Sequence, residues 1–245
     1  MRKLLYVPIL HAEADLGSLA PAIVRHSIAL CGQERWAEHQ EVVKRFWQRV
    51  ADYLLAQDPA ILRIYQDGLA IEGEAGLKVV EEAARRGSPN YRLVLELARR
   101  GAIIRKTEDP ALLMGERQNL LQAVDTAEQN GRKAGSDSRE RSYQQRRDQL
   151  MKARDKFIAE TINQTLKDGE TGVLFLGAYH DVHPYLASDI AVREAKQLDK
   201  LIAYLQALFE PRAERWQPLA DYLASPIVLS WHRDAHEAGP QRKGG

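Results

Sequence analysis

The length, charge and cysteine content of the chain narrow the class of protein before any motif is considered. The chain has 245 residues, of which 44% are hydrophobic and 28% charged, so it can bury the core of one large α/β domain. Its formal net charge of +1 gives no overall field that would attract nucleic acid or an acidic membrane. The single cysteine, Cys31, excludes an internal disulfide framework and a cysteine-rich zinc site, and it favours a reducing compartment.

The N-terminal residues predict a buried strand rather than a targeting segment. The apolar run that follows Arg2 and Lys3 is short for a signal peptide, contains Pro8 and lacks a small-residue cleavage site after it. No apolar run in the sequence approaches the ~20 residues that span a bilayer. We therefore expect a first strand at residues 3–10 and a cytoplasmic protein without a membrane partner.

Short apolar runs alternate with amphipathic segments along the chain, which is typical of βα units and a parallel sheet. We expect an α/β fold with a mostly parallel or mixed central sheet, flanking helices and extra helical segments, in one domain over residues 1–232. Residues 130–147 are predicted to form a mobile polar segment and residues 233–245 a disordered tail, while 225–230 form either a last strand or a buried loop. Strands are predicted at 3–10, 61–65, 102–106 and 173–176, and helices at 34–56, 75–86, 91–100 and 198–209, with a further helix ending near 167.

The most informative stretch is 171–185, which reads TGVLFLGAYHDVHPY. Its apolar run predicts a strand that is buried on both faces, and a cluster of polar side chains follows the strand at once. In open α/β sheets, ligands bind just beyond the carboxyl ends of the strands. The candidate functional side chains here are Tyr179, His180, Asp181 and His183.

Polar side chains follow the other predicted strands as well. The first strand ends at His11, the second reaches Asp67, and the third ends at Glu108 and Asp109. If the strands are parallel, the four strand ends, including the one before His180, lie along one edge of the sheet, which we call the rim. The sequence therefore predicts a functional site at this rim.

The region around Arg154 and His180 resembles one superfamily in particular. The residues that carry the resemblance are 153–159 (ARDKFIA), then Gly169-Glu170, then 176–180 (LGAYH). This order of a helical arginine, a glycine, a strand and Gly-x-x-His is similar to that of TraB-like proteins, TIKI proteases, erythromycin esterases and the haem-binding ChaN lipoproteins. The chain differs at the first motif, where Pro8 replaces the usual glycine, and at the second strand, where Gln66-Asp67 stands in place of the usual glutamate.

The resemblance implies an α/β scaffold with a functional Arg154, and the superfamily includes metal-dependent proteases, esterases, haem-binding proteins and regulators. A fold resemblance does not choose among these reactions.

The histidines and carboxylates at the rim form a set of possible ligands for a divalent metal such as Mn, Co, Zn or Fe. His11 and His180 are the expected core pair, with Glu13 as third ligand or general base and with Asp181 and His183 as further candidates. A metal-bound water is a nucleophile near neutral pH, which makes hydrolysis of a peptide or ester bond the expected reaction.

A metal-free alternative stays open at this point. His11 is then a general base for water, oriented by a carboxylate, while Arg154 stabilises an oxyanion. Arg154 is equally well explained by a surface ion pair with Asp148 or Asp155. Tyr179 is a candidate hydrogen-bond donor to substrate or a candidate haem ligand. Haem is therefore a possible cofactor, but a less favoured one than a divalent metal. Asp67 and Glu108 complete the candidate substrate-binding residues.

Three functions remain in competition. A hydrolase of a small-molecule or peptide substrate is the first, a non-catalytic ligand-binding or regulatory protein on the same scaffold is the second, and a haem- or iron-binding protein is the third. No nucleic-acid partner is expected, and a homo-oligomer is allowed. His39 is expected on the exposed side of its charged helix, without a functional role.

Overall fold

The computed structural model describes residues 1–129, 137–210, 214–229 and 231, and within them it shows an α/β fold around one parallel sheet. The five strands lie in the order β3-β2-β4-β1-β5, and every neighbouring pair is parallel. The expected fold class is thus confirmed. The strands are β1 (Arg2–Ile9), β2 (Leu62–Gln66), β3 (Ile103–Arg105), β4 (Thr171–Gly177) and β5 (Ile190–Glu194).

The central strands are buried on both faces, which explains why they read as continuous apolar runs. On β4, Val173 and Phe175 belong to the larger core on one face of the sheet, whereas Leu174 and Leu176 belong to a smaller core on the other. Parallel strands covered on both sides have no polar face, so their sequences do not alternate. The continuous apolar sequence of β4 is therefore explained by its position in the centre of the sheet.

Helices cover the two faces unequally. The larger core receives side chains from α2, α3, α4, α7 and α8, whereas the smaller core is closed mainly by Ile158, Ala159 and Ile162 of α6. The helices are α1 (Ala20–Cys31), α2 (Gln33–Leu55), α3 (Gly73–Arg85), α4 (Pro89–Arg99), α5 (Pro110–Gln129), α6 (Asp137–Thr165), α7 (Leu198–Leu208) and α8 (Trp216–Ala224). Short 3₁₀ helices are formed by Glu13–Leu19, Pro59–Ile61 and His183–Tyr185.

Most predicted elements are present, but the sequence reading missed β5, α5 and α8. Residues 225–229 form no regular secondary structure, so of the two alternatives for this segment, a last strand or a loop, the described part is a loop. Residues 130–136 and the predicted tail at 233–245 lie outside the described residues. No helix in the described part of the chain is long and apolar enough to cross a membrane.

The register of the sheet fixes the position of the rim. Ile9 at the end of β1 lies opposite Gly177 at the end of β4, and Gln66 at the end of β2 lies opposite Phe175. Trp47 of α2 donates a hydrogen bond from Nε1 to the carbonyl of Leu10 at 2.8 Å, which fixes the chain as it leaves β1. The residues that follow β1, β2 and β4 therefore leave the sheet at the same edge.

Candidate functional site at the sheet rim

A buried arginine connects three carboxylates at the rim. Arg154 of α6 donates two hydrogen bonds to Glu108, from Nε at 3.1 Å and from Nη2 at 2.6 Å. It also donates from Nη2 to Asp67 at 2.7 Å and from Nη1 to Glu116 at 2.6 Å. We call these four residues the rim cluster. Because they come from the ends of β2 and β3 and from α5 and α6, the cluster holds the helices against the edge of the sheet.

The rim cluster carries more negative than positive charge. Burial raises the pKa of Glu108, although the bond and charge of Arg154 oppose the shift. Burial alone would lower the pKa of Arg154, but the three carboxylates outweigh it and raise that pKa above its ordinary value. The guanidinium therefore stays charged, with four hydrogen bonds to carboxylates for its five N–H donors. Arg154 therefore does not form the expected surface ion pair with Asp148 or Asp155. Its guanidinium is also not open to a substrate, because it is buried and bonded to carboxylates.

A second polar pair lies beside the cluster. Asp155, the next residue of α6, accepts a hydrogen bond from Nδ1 of His180 at 2.5 Å, and both side chains are buried. The other oxygen of Asp155 accepts the backbone N–H of Asp181 at 3.1 Å, so the carboxylate is held from two sides. Because Asp155 occupies Nδ1, Nε2 is the ring nitrogen of His180 that can exchange a proton with a substrate.

Gly177 brings the pair and the cluster together. Its N–H donates a hydrogen bond to Oδ2 of Asp67 at 3.3 Å. A Cβ on Gly177 would stand 3.5 Å from Cδ2 of His180 and 3.6 Å from Oδ2 of Asp67, so the two side chains flank the same point. Asp67 therefore lies between Arg154 on one side and the end of β4, with His180, on the other.

A cavity of about 380 Å³ opens at the ends of β1 and β2. We call it the rim cavity and define it by the wall residues His11, Asp15, Gln66, Asp67, Asn90 and Tyr91. His11 is 59% exposed, and its Nδ1 lies 4.0 Å from Oδ2 of Asp15. Burial raises the pKa of Tyr91 to about 12, so its phenol stays protonated and donates a hydrogen bond to the carbonyl of Asp67 at 3.3 Å.

The structure brings most of the sequence-predicted site residues to one region. His11 and Asp67 line the rim cavity, and Glu108 and Arg154 lie behind Asp67 in the rim cluster. His180 lies on the other side of Asp67. Polar residues that follow β2, β3 and β4 thus lie together at one edge of the sheet, whereas no contact joins the expected core pair, His11 and His180, among the described residues.

The remaining candidates point elsewhere. Glu13 accepts a hydrogen bond from the indole of Trp36 at 3.3 Å and does not line the rim cavity. Tyr179 is 68% exposed. Asp181 accepts the backbone N–H of His183 at 3.3 Å, and the His183 ring stacks 6.3 Å from the ring of Tyr6 and lines a different cavity beyond β5.

The described residues do not supply the expected metal ligands as a set. Within these parts of the chain no group of three or more His, Cys, Asp or Glu side chains could hold a metal ion. Glu13, Asp181 and His183 each have other contacts, and His180 already uses Nδ1 for Asp155. As placed, these residues do not fit a metal ion. The highly exposed Tyr179 likewise offers no enclosed face for haem.

Several residues of the site were missed by sequence reasoning. Asp155 was expected only as a possible surface partner of Arg154, yet it contacts Nδ1 of His180 and holds that ring. Asp15 follows His11 by four residues, a spacing that could have been noticed, whereas nothing in the sequence links Asn90 to His11. His39, expected to be exposed, is buried with its Nδ1 2.8 Å from the hydroxyl of Tyr204.

Comparisons with known proteins do not add to this geometry. No family model matches the chain, and neither a curated protein nor a solved structure shows significant similarity to it. The resemblance to the TraB, TIKI, erythromycin-esterase and ChaN superfamily therefore stays a prediction from about thirty residues.

Proposed function

We propose that the protein is a hydrolase that cleaves an ester or peptide bond of a small polar substrate, which binds at the rim beside Asp67 and His180. The observation that carries this proposal is the 2.5 Å contact between Asp155 and His180 beside Asp67, which is itself on the cavity wall. A carboxylate that holds one imidazole nitrogen leaves the other oriented for proton transfer, which is the arrangement of a general base.

The proposed reaction needs only groups that the chain contains. Nε2 of His180 takes a proton from water while the water oxygen bonds to the substrate carbonyl carbon. The same imidazolium, or His11 of the cavity wall, then gives a proton to the departing alcohol or amine as its bond to carbon breaks. Asp155 keeps the His180 ring in one tautomer throughout. Arg154 positions Asp67 and balances part of the carboxylate charge, since its donors are engaged by the rim cluster.

An activity screen in the presence of a chelator tests the proposal. Purified protein is incubated with EDTA and assayed against sets of small esters, amides and peptides. We expect hydrolysis that survives EDTA, is lost in His180→Gln and is retained in His26→Gln, which alters an exposed histidine of α1. Activity that disappears in EDTA and returns with Mn, Co or Zn would support the metal-dependent version instead. Activity that persists in His180→Gln would refute the assignment of the base.

A second candidate function is non-catalytic ligand binding. It is favoured by one observation, namely that Arg154 already makes four hydrogen bonds to carboxylates and so offers little to a developing oxyanion. If ligands bind in the rim cavity but no member of the screen is turned over, this candidate replaces the first.

A further inference from the structure

A second cavity opens beyond the end of β5, and its volume is about 650 Å³. We call it the β5 cavity and define it by its walls, which are residues 192–197, Lys200, Tyr222, residues 225–229 and His183. It shares no wall residue with the rim cavity. Ligands of open α/β sheets bind beyond the carboxyl ends of the strands, and the volume lies within the range of small-molecule sites. The β5 cavity is therefore a second candidate binding site.

Positive charge prevails in the wall of the β5 cavity. Its basic side chains are Arg193, Lys196, Lys200 and His183. Glu194 is the only carboxylate among the described wall residues, and its Oε2 accepts the backbone N–H of Leu198 at 2.9 Å. Even when the two lysines alone are counted against Glu194, the wall carries more positive than negative charge. Such a wall attracts anions and repels cations.

Lys196 is a buried ammonium whose hydrogen-bond partners are all neutral. The residue is 2% exposed, and its Nζ donates to the carbonyls of Tyr222 and Ser225, both at 2.8 Å, and to Oγ of Ser225 at 2.9 Å. These acceptors satisfy the three donors of an ammonium but do not cancel its charge. Burial, helped by the charge of Arg49, lowers the pKa of Lys196 to about 8, so the ammonium is mostly retained at pH 7. Buried charges are as a rule paired with an opposite charge, which an anion in the adjoining cavity supplies.

Lys200 brings a second ammonium to the same place. Its Nζ lies 4.3 Å from the centre of the Tyr222 ring, and Nζ of Lys196 lies 4.9 Å from the same centre. In the described part of the chain no carboxylate forms an ion pair with either ammonium. An aromatic ring attracts cations but carries no net charge, so the charge of both lysines stays uncompensated. Lys200 is half-buried and can contact a ligand directly, whereas Lys196 acts on it through its charge.

The segment 225–229 gives the β5 cavity an apolar side. Ile227 and Leu229 are half-buried and pack against the larger core, whereas Val228 is 89% exposed. Val192 of β5 faces the same cavity. A ligand that has an apolar part in addition to its charged group therefore finds a matching surface beside the lysines.

We propose that the β5 cavity binds a small organic anion whose carboxylate or phosphate group lies against Lys200, close to the charge of Lys196, while its apolar part contacts Ile227 and Leu229. The site is separate from Asp155 and His180, so binding there requires no hydrolysis.

Matched compounds that differ in charge test the proposal by calorimetric titration at pH 7. The anionic probes are hexanoate and phenyl phosphate. Their neutral counterparts are hexanol and benzyl alcohol, and their cationic counterparts are hexylamine and benzylamine. We expect at least one anion to bind at least about tenfold more tightly than its neutral counterpart, with the cation weakest, and the affinity to fall as salt is added. The proposal is overturned if neither anion binds, or if the neutral or cationic compound binds as tightly. The tighter of the two anions shows whether the site prefers a carboxylate or a phosphate group.

Variants of Lys200 locate the binding. Lys200→Met keeps most of the side chain but not the charge and should weaken binding of the anion at least about tenfold, whereas Lys200→Arg should retain binding. Because Lys200 has no ion pair among the described residues, both variants should keep the melting temperature of the ligand-free protein. The matched control is Lys44→Met, which removes the same charge from an exposed lysine of α2 that pairs with Glu41. Its affinity for the anion should equal that of the wild type.

Val228 allows the charge of the cavity to be changed in both directions. Because this side chain is 89% exposed, neither Val228→Lys nor Val228→Glu should disturb folding. The lysine should strengthen binding of the anion and the glutamate should weaken it, each by at least about threefold. Unchanged affinity in Lys200→Met, an equal loss in Lys44→Met, or the same affinity in the two Val228 variants would overturn the assignment of the site. Binding that persists in His180→Gln while hydrolysis is lost would show that the two sites are independent, as proposed.

Discussion

Replacing Arg154 by methionine should destabilise the protein strongly, because it leaves a buried carboxylate without its partner. Glu108 is 0% exposed and receives two of the hydrogen bonds of the guanidinium. Removing one partner of a buried ion pair typically costs about 3–5 kcal/mol of unfolding free energy. For a chain of this size each kcal/mol lowers the melting temperature by about 2–4 °C, so the expected decrease is roughly 6–20 °C.

The same variant should show a distinctive dependence on pH. Burial already raises the pKa of Glu108 above its ordinary value, and loss of the arginine removes the two contributions that oppose that shift. A carboxyl whose pKa is higher in the folded than in the unfolded protein stabilises the fold at low pH, and that contribution is lost as pH rises. The deficit of Arg154→Met relative to the wild type should therefore be larger at pH 7 than at pH 5.

Urea unfolding followed by circular dichroism at both pH values measures these differences. Adding Glu108→Gln to Arg154→Met should recover part of the loss, because the buried group is then neutral. Arg147→Met is the control, since Arg147 is exposed and, among the described residues, pairs with its neighbour Asp148. A loss below about 1 kcal/mol for Arg154→Met, the level of an exposed pair, would refute the reasoning, as would a deficit independent of pH.

Two further predictions concern the core. Gly172→Ala should cost about 1–3 kcal/mol by urea unfolding, because its Cβ would stand 2.8 Å from Cδ1 of Leu4 and 3.2 Å from Cε2 of Tyr65; an unchanged unfolding midpoint would contradict this. Burial lowers the pKa of His39 from 6.5 to about 4. Because the unfolded chain then binds a proton more readily than the folded protein, the free energy of unfolding should fall by up to about 3 kcal/mol between pH 6.5 and pH 4. His39→Phe should make that part of the pH profile flatter, although it also removes the bond to Tyr204; an unaltered slope would show that another group is responsible.

The central strands could be predicted because a strand that is buried on both faces consists of a continuous run of apolar residues. β1 and β4 are covered on both faces and read as apolar runs, and the start of α2 is displaced by only one residue from its prediction. β5 could not be predicted in the same way. It pairs only with β1 at the edge of the sheet, and its residues Ala191–Glu194 are half-buried, so IAVRE lacks a clear pattern.

The contacts within the site were less predictable than its location. Strand ends identified the rim, but the partners of Arg154 lie 46 and 87 residues away at Glu108 and Asp67. Which of the many carboxylates reaches the guanidinium depends on the packing of α6 against the sheet, which local spacing does not encode. The burial of His39 could not be predicted for the same reason. Its charged neighbours in the sequence indicate an exposed helix face, but Tyr204 of α7 packs against it.

The measurement that tests the account most directly is the turnover number of Asp155→Asn across pH, determined on any substrate found in the screen. Asparagine keeps the size of the side chain but not the charge that holds the His180 ring. We expect kcat to fall at least about 100-fold at every pH, with a smaller change in KM, whereas Asp181→Asn, on an exposed neighbouring side chain, stays within about twofold of wild type. A folded Asp155→Asn that keeps the wild-type kcat and pH profile would contradict the claim that this pair performs the chemistry at the rim.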